Sequence, residues 1–408
     1  MEDKNHASAD ISARTCLSLA REFYPEVVRI RRQLHQYPEL AFEEYDTANL
    51  VACELKRLGI GTTQGVAKTG LVGILDKRAR GPVVALRADM DALPVAEETD
   101  LPFKSKRQGK MHACGHDSHM AMLLGAAKIL MQLKEEIRGT VKFLFQPSEE
   151  KNPGGAPSMI KDGALSDPEV DAIFGQHITT DLPVGTAGFR PGPTMASADE
   201  IYITVLGKGG HGAKPHQAVD PILISAHIIT ALQAVISRSR NPFEPSVLTI
   251  GSIHGGTATN IIPDSVKLMG TFRAMNEKWR SRALDLIKKT AEETSRGLGG
   301  KCVVEVSRGY PVLINSQKET DFAIERAGEI LGKKGAVIIP PVMGAEDFSY
   351  YLQKKPGSFW WMGARNPKIG ATASIHSSKF AIDESAMMYG SALLAHITLR
   401  YLHESGVK

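Results

Sequence analysis

Residues 141–150, which read VKFLFQPSEE, indicate both the fold of this chain and the place of its chemistry. The mostly apolar run at 141–145 predicts a short buried strand. A polar turn with two adjacent carboxylates, Glu149 and Glu150, follows at once. Neighbouring carboxylates repel each other unless a cation or a proton lies between them. We therefore interpret this strand end as a cation site; the alternative is a surface glutamate pair that opens a loop.

Similar strands alternate with helices on both sides of this segment. We predict strands at residues 70–75, 82–86 and 172–174, and helices at 11–37, 45–58 and 120–133, from the spacing of their apolar residues. Such alternation is typical of an α/β domain with a mostly parallel or mixed central sheet flanked by helices. In open sheets of this class, ligands bind at the carboxyl ends of the strands.

The sequence pattern changes near residue 193. Residues 200–206 and 267–272 alternate polar and apolar side chains, whereas 221–236 and 280–298 have helical spacing. This combination predicts an α+β layer of antiparallel strands with two helices on one face. The α/β pattern returns near residue 310. We therefore expect a discontinuous larger domain, residues 1–193 and 310–408, with a smaller domain inserted at 194–309.

Composition excludes several classes of function. The 408 residues are 42% hydrophobic and 23% charged, as in a soluble enzyme, and the net charge of +4 argues against a nucleic-acid partner. The basic stretch at 104–110 is interpreted as a solvated loop. No continuous apolar run approaches the roughly 18 residues that span a bilayer, so no membrane partner is expected. The polar N-terminal residues lack the apolar core of a secretory signal, which favours a cytoplasmic protein.

A cluster of metal-binding side chains lies at residues 112–119, HACGHDSH, immediately before a predicted helix. Imidazole and thiolate groups bind borderline divalent metals. Extended backbone at Cys114-Gly-His116 would bring two ligands to one centre. His112 and His119 are expected to orient ligands or touch substrate. The other cysteines, Cys16, Cys53 and Cys302, are interpreted as small core residues.

Further polar residues follow other predicted strands. His177 comes after the strand at 172–174, and Asp89 and Asp91 come after the strand at 82–86. The two aspartates would ligate metal or orient a ligating imidazole. His376 lies far along the chain and carries little information by itself.

These residues together resemble metallopeptidase family 20, in the branch of hippurate hydrolase, plant indoleacetyl-amino-acid hydrolases and bacterial N-acyl-amino-acid amidohydrolases. The resemblance extends in order along essentially the whole chain. It is carried by HQYPELAFEE (35–44), RADMDALP (87–94), MHACGHDSH (111–119), QPSEE (146–150), GQHI (175–178), GGHGAKP (209–215), GGTATNIIP (255–263), GAEDFSY (344–350) and IHS (375–377).

The resemblance implies a site for two divalent ions. Cys114 would bridge them, with His116 and His177 at one ion and Glu150 and His376 at the other. Glu149 matches the catalytic base. The segment Asp89-Met-Asp91 occupies the place of a His-x-Asp motif but lacks the histidine, so Asp89 is left out of the ligands and Asp91 is expected to orient them. Zinc suits these donors best, while manganese, nickel and cobalt stay open.

The resemblance also gives the inserted domain a role. It would mediate formation of a homodimer or a higher homo-oligomer and act as a ferredoxin-like lid. His211 matches a histidine that reaches the partner's active site and stabilises the oxyanion. Asn260 and Arg273 match polar groups that contact the substrate. The residues alone favour a turn residue in a glycine-rich loop for His211 and a solvated strand residue for Arg273.

The reaction implied is hydrolysis of the amide bond of N-acyl-L-amino acids to a carboxylic acid and a free amino acid. A metallo-carboxypeptidase or dipeptidase shares this chemistry and is the first alternative. A non-catalytic binding homologue is a remote alternative, because Glu149 and all five metal donors are present. A serine hydrolase is weaker still, because the chain has no Gly-x-Ser-x-Gly motif.

Overall fold

The computed structural model describes residues 2–75 and 81–405, with side chains from residue 13 onward. These residues form two compact units. The first lies within Met1–Gly192, Asn315–Pro340 and Tyr350–Lys408, and the second comprises Pro193–Ile314 and Pro341–Ser349. The short segment Pro341–Ser349 therefore groups with the second unit, although the predicted boundaries assign it to the first.

Helices and strands alternate through most of the described chain. The helices are α1 (Glu2–Gln36), α2 (Tyr45–Arg57), α3 (His116–Gln132), α4 (Ala156–Lys161), α5 (Pro221–Arg238), α6 (Glu277–Gly297), α7 (Gln317–Leu331), α8 (Phe348–Leu352) and α9 (Ala386–Ser405). The strands are β1 (Gly61–Val66), β2 (Gly70–Leu75), β3 (Val83–Asp89), β4 (Thr140–Gln146), β5 (Ala172–Pro183), β6 (Ala187–Phe189), β7 (Gly192–Met195), β8 (Asp199–Leu206), β9 (Gly210–His211), β10 (Ser246–His254), β11 (Ile261–Ile262), β12 (Ser265–Ala274), β13 (Lys301–Arg308), β14 (Leu313–Asn315), β15 (Ala336–Ile338) and β16 (Gly357–Arg365).

The first unit is built on an eight-stranded sheet in the order β1-β2-β4-β3-β5-β16-β6-β15. Neighbours from β4 to β16 run parallel, whereas β1, β2 and β4 pair antiparallel. Strands β3 and β4 are buried along their full length, as expected for strands covered on both faces. Apolar side chains of α1, α3 and α9 share one core with these strands. The predicted α/β class with a mixed central sheet is confirmed.

The second unit contains an antiparallel sheet in the order β10-β12-β8-β13. Burial alternates along β8, and its buried residues form one core with apolar residues of α5 and α6. One face of the sheet thus carries both helices, which is the arrangement that the alternating sequence pattern predicts. Its role as a dimerisation or lid domain stays a prediction.

Helix α5 qualifies the expectation about membranes. Its 18 residues have a mean hydropathy of 1.4, so by length and composition alone the helix is apolar enough to cross a bilayer. A third of these 18 residues are buried, and Ile224, Ile228 and Leu232 pack into the core of the second unit. This packing gives the apolar residues a structural role in a folded domain. The expected lack of a membrane partner and the cytoplasmic location stay predictions.

Three local predictions were wrong. Strand β5 continues to Pro183 rather than ending at residue 174, because β16 pairs with it along almost its whole length. His177 therefore lies within a strand and not after one. Helix α3 begins at His116 rather than at residue 120. Cys53 is exposed on α2 and Cys302 is partly exposed, so of the three supposed core cysteines only Cys16 is buried.

Candidate metal centre

The register of three neighbouring parallel strands brings the predicted site residues together. Asp89 at the end of β3 pairs with Gln146 at the end of β4, so Asp91 and the Glu149-Glu150 turn leave the sheet side by side. On the other side of β3, Arg87 pairs with Gly175 of β5, which places His177 two residues further along. The carboxyl ends of these strands form one edge, where ligands bind in sheets of this type.

The Cys114-Gly-His116 segment turns sharply instead of extending. Gly115 has a φ of +91°, a conformation that glycine adopts without strain. A Cβ atom here would lie 2.4 Å from the Cγ2 atom of Ile178, so a larger residue is also excluded by contact. The turn starts α3 at His116 and directs Cys114 and His116 toward one point. The expectation of extended backbone was wrong, although both side chains still share a centre.

Two groups of potential metal donors share the Cys114 thiol. In each group, the ligand atoms lie within 4.8 Å of one another. One group contains Cys114, His116 and His177; the other contains Cys114, Glu150 and His376. The Sγ atom of Cys114 lies 3.3 Å from Nε2 of His177, and Nε2 of His376 lies 3.1 Å from Oε1 of Glu150. The structure thus brings all five predicted metal donors together.

Hydrogen bonds fix the orientation of His177. Its Nδ1 donates to the carbonyl of Ile178 at 2.7 Å, which leaves the Nε2 lone pair directed at Cys114. Metal-binding histidines commonly donate their second nitrogen in this manner. Burial, followed by the nearby His119, lowers the pKa of His177 well below its usual value. A neutral imidazole is the form that binds a cation.

His376 reaches the site from a distant part of the chain. Its backbone N–H donates to the carbonyl of Ala113 at 2.8 Å, which ties it to the segment that carries Cys114. Its φ of +66° is uncommon for a residue with a Cβ, and such strained residues concentrate at functional sites. The hydrogen bond with Glu150 raises the pKa of His376 despite partial burial. Its side chain is 51% exposed, so His376 forms the accessible side of the centre.

Asp91 holds the turn that carries the two glutamates. Its two carboxylate oxygens accept the backbone N–H groups of Glu149 and Glu150 at 2.8 and 2.9 Å. One of these oxygens also lies 3.4 Å from Nδ1 of His116. The predicted orienting role of Asp91 has a physical basis in these contacts, because one carboxylate faces a donor imidazole and the turn that carries Glu150.

The electrostatics of the centre favour a bound cation. Burial lowers the pKa of His116, but the carboxylates of Asp89, Asp91 and Glu150 outweigh it and raise the pKa to about 10. Burial raises the pKa of the Cys114 thiol well above its usual range, and Glu150 and Glu149 raise it further. A divalent cation would offset this negative field and favour the thiolate.

Unpartnered polar atoms test whether the residues fit metal ions. Nε2 of His116 is buried without a hydrogen-bond partner among the described residues. Such atoms cost free energy unless something binds them. One thiolate, three imidazoles and a carboxylate are a donor set that divalent transition metals accept. The residues therefore fit two metal ions.

Asp89 has other partners. NH1 of Arg87 donates to its Oδ2 at 2.7 Å, and Nδ1 of His119 donates to its Oδ1 at 2.6 Å. Nε2 of His119 accepts the backbone N–H of Ile178 at 2.8 Å, so both nitrogens of this imidazole are engaged. Burial raises the pKa of Asp89, yet His116 and Arg87 hold it well below its usual value. These contacts agree with the expectation that Asp89 is not a metal ligand and that His119 orients the residues around the centre. Both roles stay predictions.

His112 is also buried beside the centre. Burial lowers its pKa to about 3, so its imidazole is neutral. Neither ring nitrogen has a hydrogen-bond partner among the described residues. The predicted role of His112 in orienting ligands is not supported by a contact to a donor.

The second unit carries the three remaining predicted residues. His211 in β9 pairs with Ile261 of β11, and the N–H of Gly212 donates to the carbonyl of Asn260 at 2.8 Å, so His211 and Asn260 are neighbours. Nδ1 of His211 accepts the N–H of Ala213 at 3.0 Å, which places the ring proton of the neutral form on the exposed Nε2. Arg273 lies on another strand, β12, and is half-buried, which lowers its pKa.

Sequence reasoning gave no role to Glu44, which contacts the glutamate turn. Its Oε1 accepts the N–H of Ser148 at 2.9 Å. The signal was present, because Glu44 ends the segment HQYPELAFEE that carries part of the family resemblance. Residue spacing could not show the contact, since 104 residues separate the two partners.

Comparison with known proteins agrees with this geometry. Residues 85–400 match the family described as peptidase family M20/M25/M40. The chain belongs to this family. It is an M20 metallo-amidohydrolase.

Three relatives of this M20 chain are informative. Thermostable carboxypeptidase 1 of Saccharolobus solfataricus is 44% identical, over 93% of this chain and 95% of the relative. IAA-amino acid hydrolase ILR1-like 4 of Arabidopsis thaliana is 41% identical, over 95% of this chain and 89% of the relative. The third is a crystal structure from Bacillus subtilis, described as a dinuclear metal-binding peptidase of the M20 family. It is 35% identical, has a TM-score of 0.80, and covers 94% of this chain and 99% of its own. The family resemblance and the assignment as a hydrolase are confirmed.

Replacing Cys114 tests the shared donor. Cys114→Ala should lose bound metal, because both donor groups contain this thiol. We expect the metal affinity to fall by more than the roughly 10- to 100-fold caused by losing an outer hydrogen-bond partner of a ligand. Metal per chain, measured by mass spectrometry after gel filtration, gives the result. Cys53→Ala, on the exposed face of α2, is the matched control, and equal metal content in both variants would show that Cys114 only packs.

Proposed function

We propose that this M20 chain hydrolyses the amide bond of N-acyl-L-amino acids and releases a carboxylic acid and a free amino acid. The observation that carries the proposal is the pair of donor groups sharing Cys114, with the carboxylate of Glu149 beside them. Oε2 of Glu149 lies 4.0 Å from Nε2 of His116 and is not needed as a donor in either group. The relative from Arabidopsis, named for hydrolysis of an IAA-amino acid, supports this substrate class.

Glu149 acts as general base and then as general acid. Two divalent ions, when bound, lower the pKa of a water molecule and polarise the scissile carbonyl. Glu149 takes a proton from the attacking water, whose oxygen forms a bond to the carbonyl carbon. The bond between carbon and nitrogen then breaks, and Glu149 delivers that proton to the departing amine. Asp91 holds the backbone of Glu149 during both transfers.

Zinc is the proposed metal. Thiolate and imidazole donors suit zinc, and Glu150 adds a carboxylate oxygen that zinc also binds. Manganese, nickel and cobalt are alternatives, because geometry and availability rather than affinity alone select the metal.

Residues of the second unit complete the proposed site in a homodimer or a higher homo-oligomer. The exposed Nε2–H of His211 donates to the oxyanion that forms during attack, in the active site of a partner subunit. Asn260 and Arg273 hold the substrate, with the guanidinium of Arg273 on the free carboxylate of the amino acid. The resemblance to the family supports this assignment, together with the tautomer of His211.

Carboxypeptidase activity is the second candidate. The relative from Saccharolobus is named for it and is 44% identical. A C-terminal amino acid also leaves with a free carboxylate, so the same Arg273 would serve both substrate classes. A non-catalytic binding homologue is disfavoured by the full set of donors beside Glu149.

Glu149→Gln tests the base. The change keeps the side-chain volume and removes the basic oxygen, so metal content should stay normal. We expect turnover to fall by at least about 10²-fold, the usual scale of general-base catalysis. Steady-state kinetics and metal analysis of the same preparation give both values. Near-normal turnover would end the assignment.

The substrate class is tested with a panel of amides. N-acetyl, N-benzoyl and N-indoleacetyl amino acids are compared with dipeptides and with longer peptides that end in the same residue. We expect higher kcat/KM for the N-acyl amino acids, and Glu149→Gln supplies the background. Faster cleavage of peptides would favour the carboxypeptidase or dipeptidase alternative, and cleavage of none would favour a binding homologue.

Subunit mixing tests His211. His211→Ala and Glu149→Gln should each be nearly inactive alone. When equal amounts reassociate, about half of random dimers are mixed, and each mixed dimer has one intact site. Activity should therefore recover to roughly a quarter of the wild-type value.

Subunit exchange has to be verified independently, for example by native mass spectrometry of a size-tagged chain. His216→Ala, at an exposed histidine in the same loop region, is the matched control and should keep its activity without mixing. No recovery after confirmed exchange would contradict a role for His211 across subunits.

A further inference from the structure

The turn that carries Glu149 and Glu150 depends on acceptors outside the sheet. Three successive backbone N–H groups, of Ser148, Glu149 and Glu150, donate to side-chain carboxylates rather than to a neighbouring strand. Ser148 has a φ of +55°, an uncommon conformation for a residue with a Cβ. Strained backbone of this kind persists only when its surroundings hold it in place. The direction of both glutamate side chains therefore depends on those acceptors.

Glu44 is the acceptor for the first of these groups. It is fully buried, its Oε1 accepts from Ser148, and its Oε2 accepts from the hydroxyl of Thr69 at 2.5 Å. The segment before Glu44 is held as well, because Ala92 next to Asp91 donates its N–H to the carbonyl of Glu39 at 2.7 Å. Both oxygens of Glu44 are thus fixed, and the carboxylate cannot swing away from the turn.

The burial of Glu44 is costly. Burial raises its pKa to about 7, with Thr69 acting in the opposite direction and Asp91 adding to the rise. No ion pair reaches this carboxylate among the described residues. A buried acidic group without a cation lowers stability compared with a well-packed apolar residue. An apolar residue at this position could not accept the hydrogen bonds from Ser148 and Thr69.

We propose that Glu44 is a positioning residue for the catalytic turn: by holding the N–H of Ser148 it directs Glu149 and Glu150 toward the metal centre. The proposal rests on the proposed function, which assigns Glu149 as base and Glu150 as ligand. Glu44 differs from Asp91, which also faces His116. Among the described residues, the carboxylate of Glu44 bonds to this turn through Ser148 alone, so substituting Glu44 tests positioning without removing a partner of a donor side chain.

The test compares Glu44→Ala with Glu44→Gln. In Glu44→Gln, the amide oxygen still accepts from Ser148, and the amide nitrogen donates to the hydroxyl oxygen of Thr69. In Glu44→Ala, the Ser148 N–H loses its acceptor. We expect kcat of Glu44→Ala to fall about 10- to 100-fold, the cost of a small misplacement of catalytic groups, with KM changed less than about threefold. Glu44→Gln should keep kcat within about threefold.

A second readout does not depend on activity. Zinc affinity, measured by competition with a chromogenic chelator, should weaken by about 10-fold or more in Glu44→Ala because Glu150 lies in the same turn. Glu43→Ala is the matched control: Glu43 is exposed and pairs with Lys110 at 3.2 Å, so both readouts should match the wild type. If the wild-type chain cleaves no amide in the panel, the proposed function fails, while the zinc measurement still reports on Glu44.

Unchanged kcat and zinc affinity in Glu44→Ala would overturn the proposal. Equal losses in Glu44→Ala and Glu44→Gln would also overturn it, because the hydrogen bond would then not be the cause. If Glu44→Ala does not fold, Thr69→Val replaces it. This change frees one oxygen of Glu44, and we expect a smaller fall in kcat, about threefold, at unchanged KM. A kcat equal to the wild type in folded Thr69→Val would then contradict the proposal.

Discussion

The parallel pairing of β3 with β4 is the constraint on which the metal centre depends. Because Asp89 pairs with Gln146, the residues that follow leave the sheet at the same level. The carboxylate of Asp91 can then accept the N–H groups of both Glu149 and Glu150. A shift of one residue in this register would turn every side chain to the other face and separate the carboxylate from the turn. The hydrophobic burial of both strands therefore fixes the geometry of polar groups that contribute nothing to the core.

Negative charge is the second organising feature. The carboxylates of Asp89, Asp91, Glu149 and Glu150 all lie within 4.0 Å of a ring nitrogen of His116 in a largely buried space, which is unfavourable without compensation. Arg87 and His119 satisfy the carboxylate of Asp89, which explains how an aspartate is accommodated where a His-x-Asp motif has its histidine. Among the described residues, the carboxylate of Glu150 pairs with the imidazoles of His116 and His376, and both of these are themselves metal donors. Metal ions are the compensation that this donor set accepts.

Sequence predicted those features that depend on local pattern. Apolar runs located the strands, and the residues at their ends located the donors, because one edge of a sheet collects the ends of parallel strands. Errors arose where tertiary pairing decided the outcome. His177 lies inside β5 because β16 extends that strand, and Cys53 lies on the exposed side of an amphipathic helix. His376 could be identified only from the family resemblance, since its link to Ala113 spans more than half of the chain.

The contact between Glu44 and Ser148 belongs to a wider pattern that local sequence could not reveal. The segment from His35 to Glu44 touches three parts of the centre. Nδ1 of His35 lies 2.8 Å from Asp117, the residue after His116; Glu39 accepts from Ala92, the residue after Asp91; and Glu44 accepts from Ser148, the residue before Glu149. Each contact is made one residue away from a group with a proposed role. A hydrogen bond to the neighbouring backbone or side chain can hold a metal donor in place without using the lone pair that the donor offers to the metal. Polar residues outside the ligand set are therefore needed to build the centre.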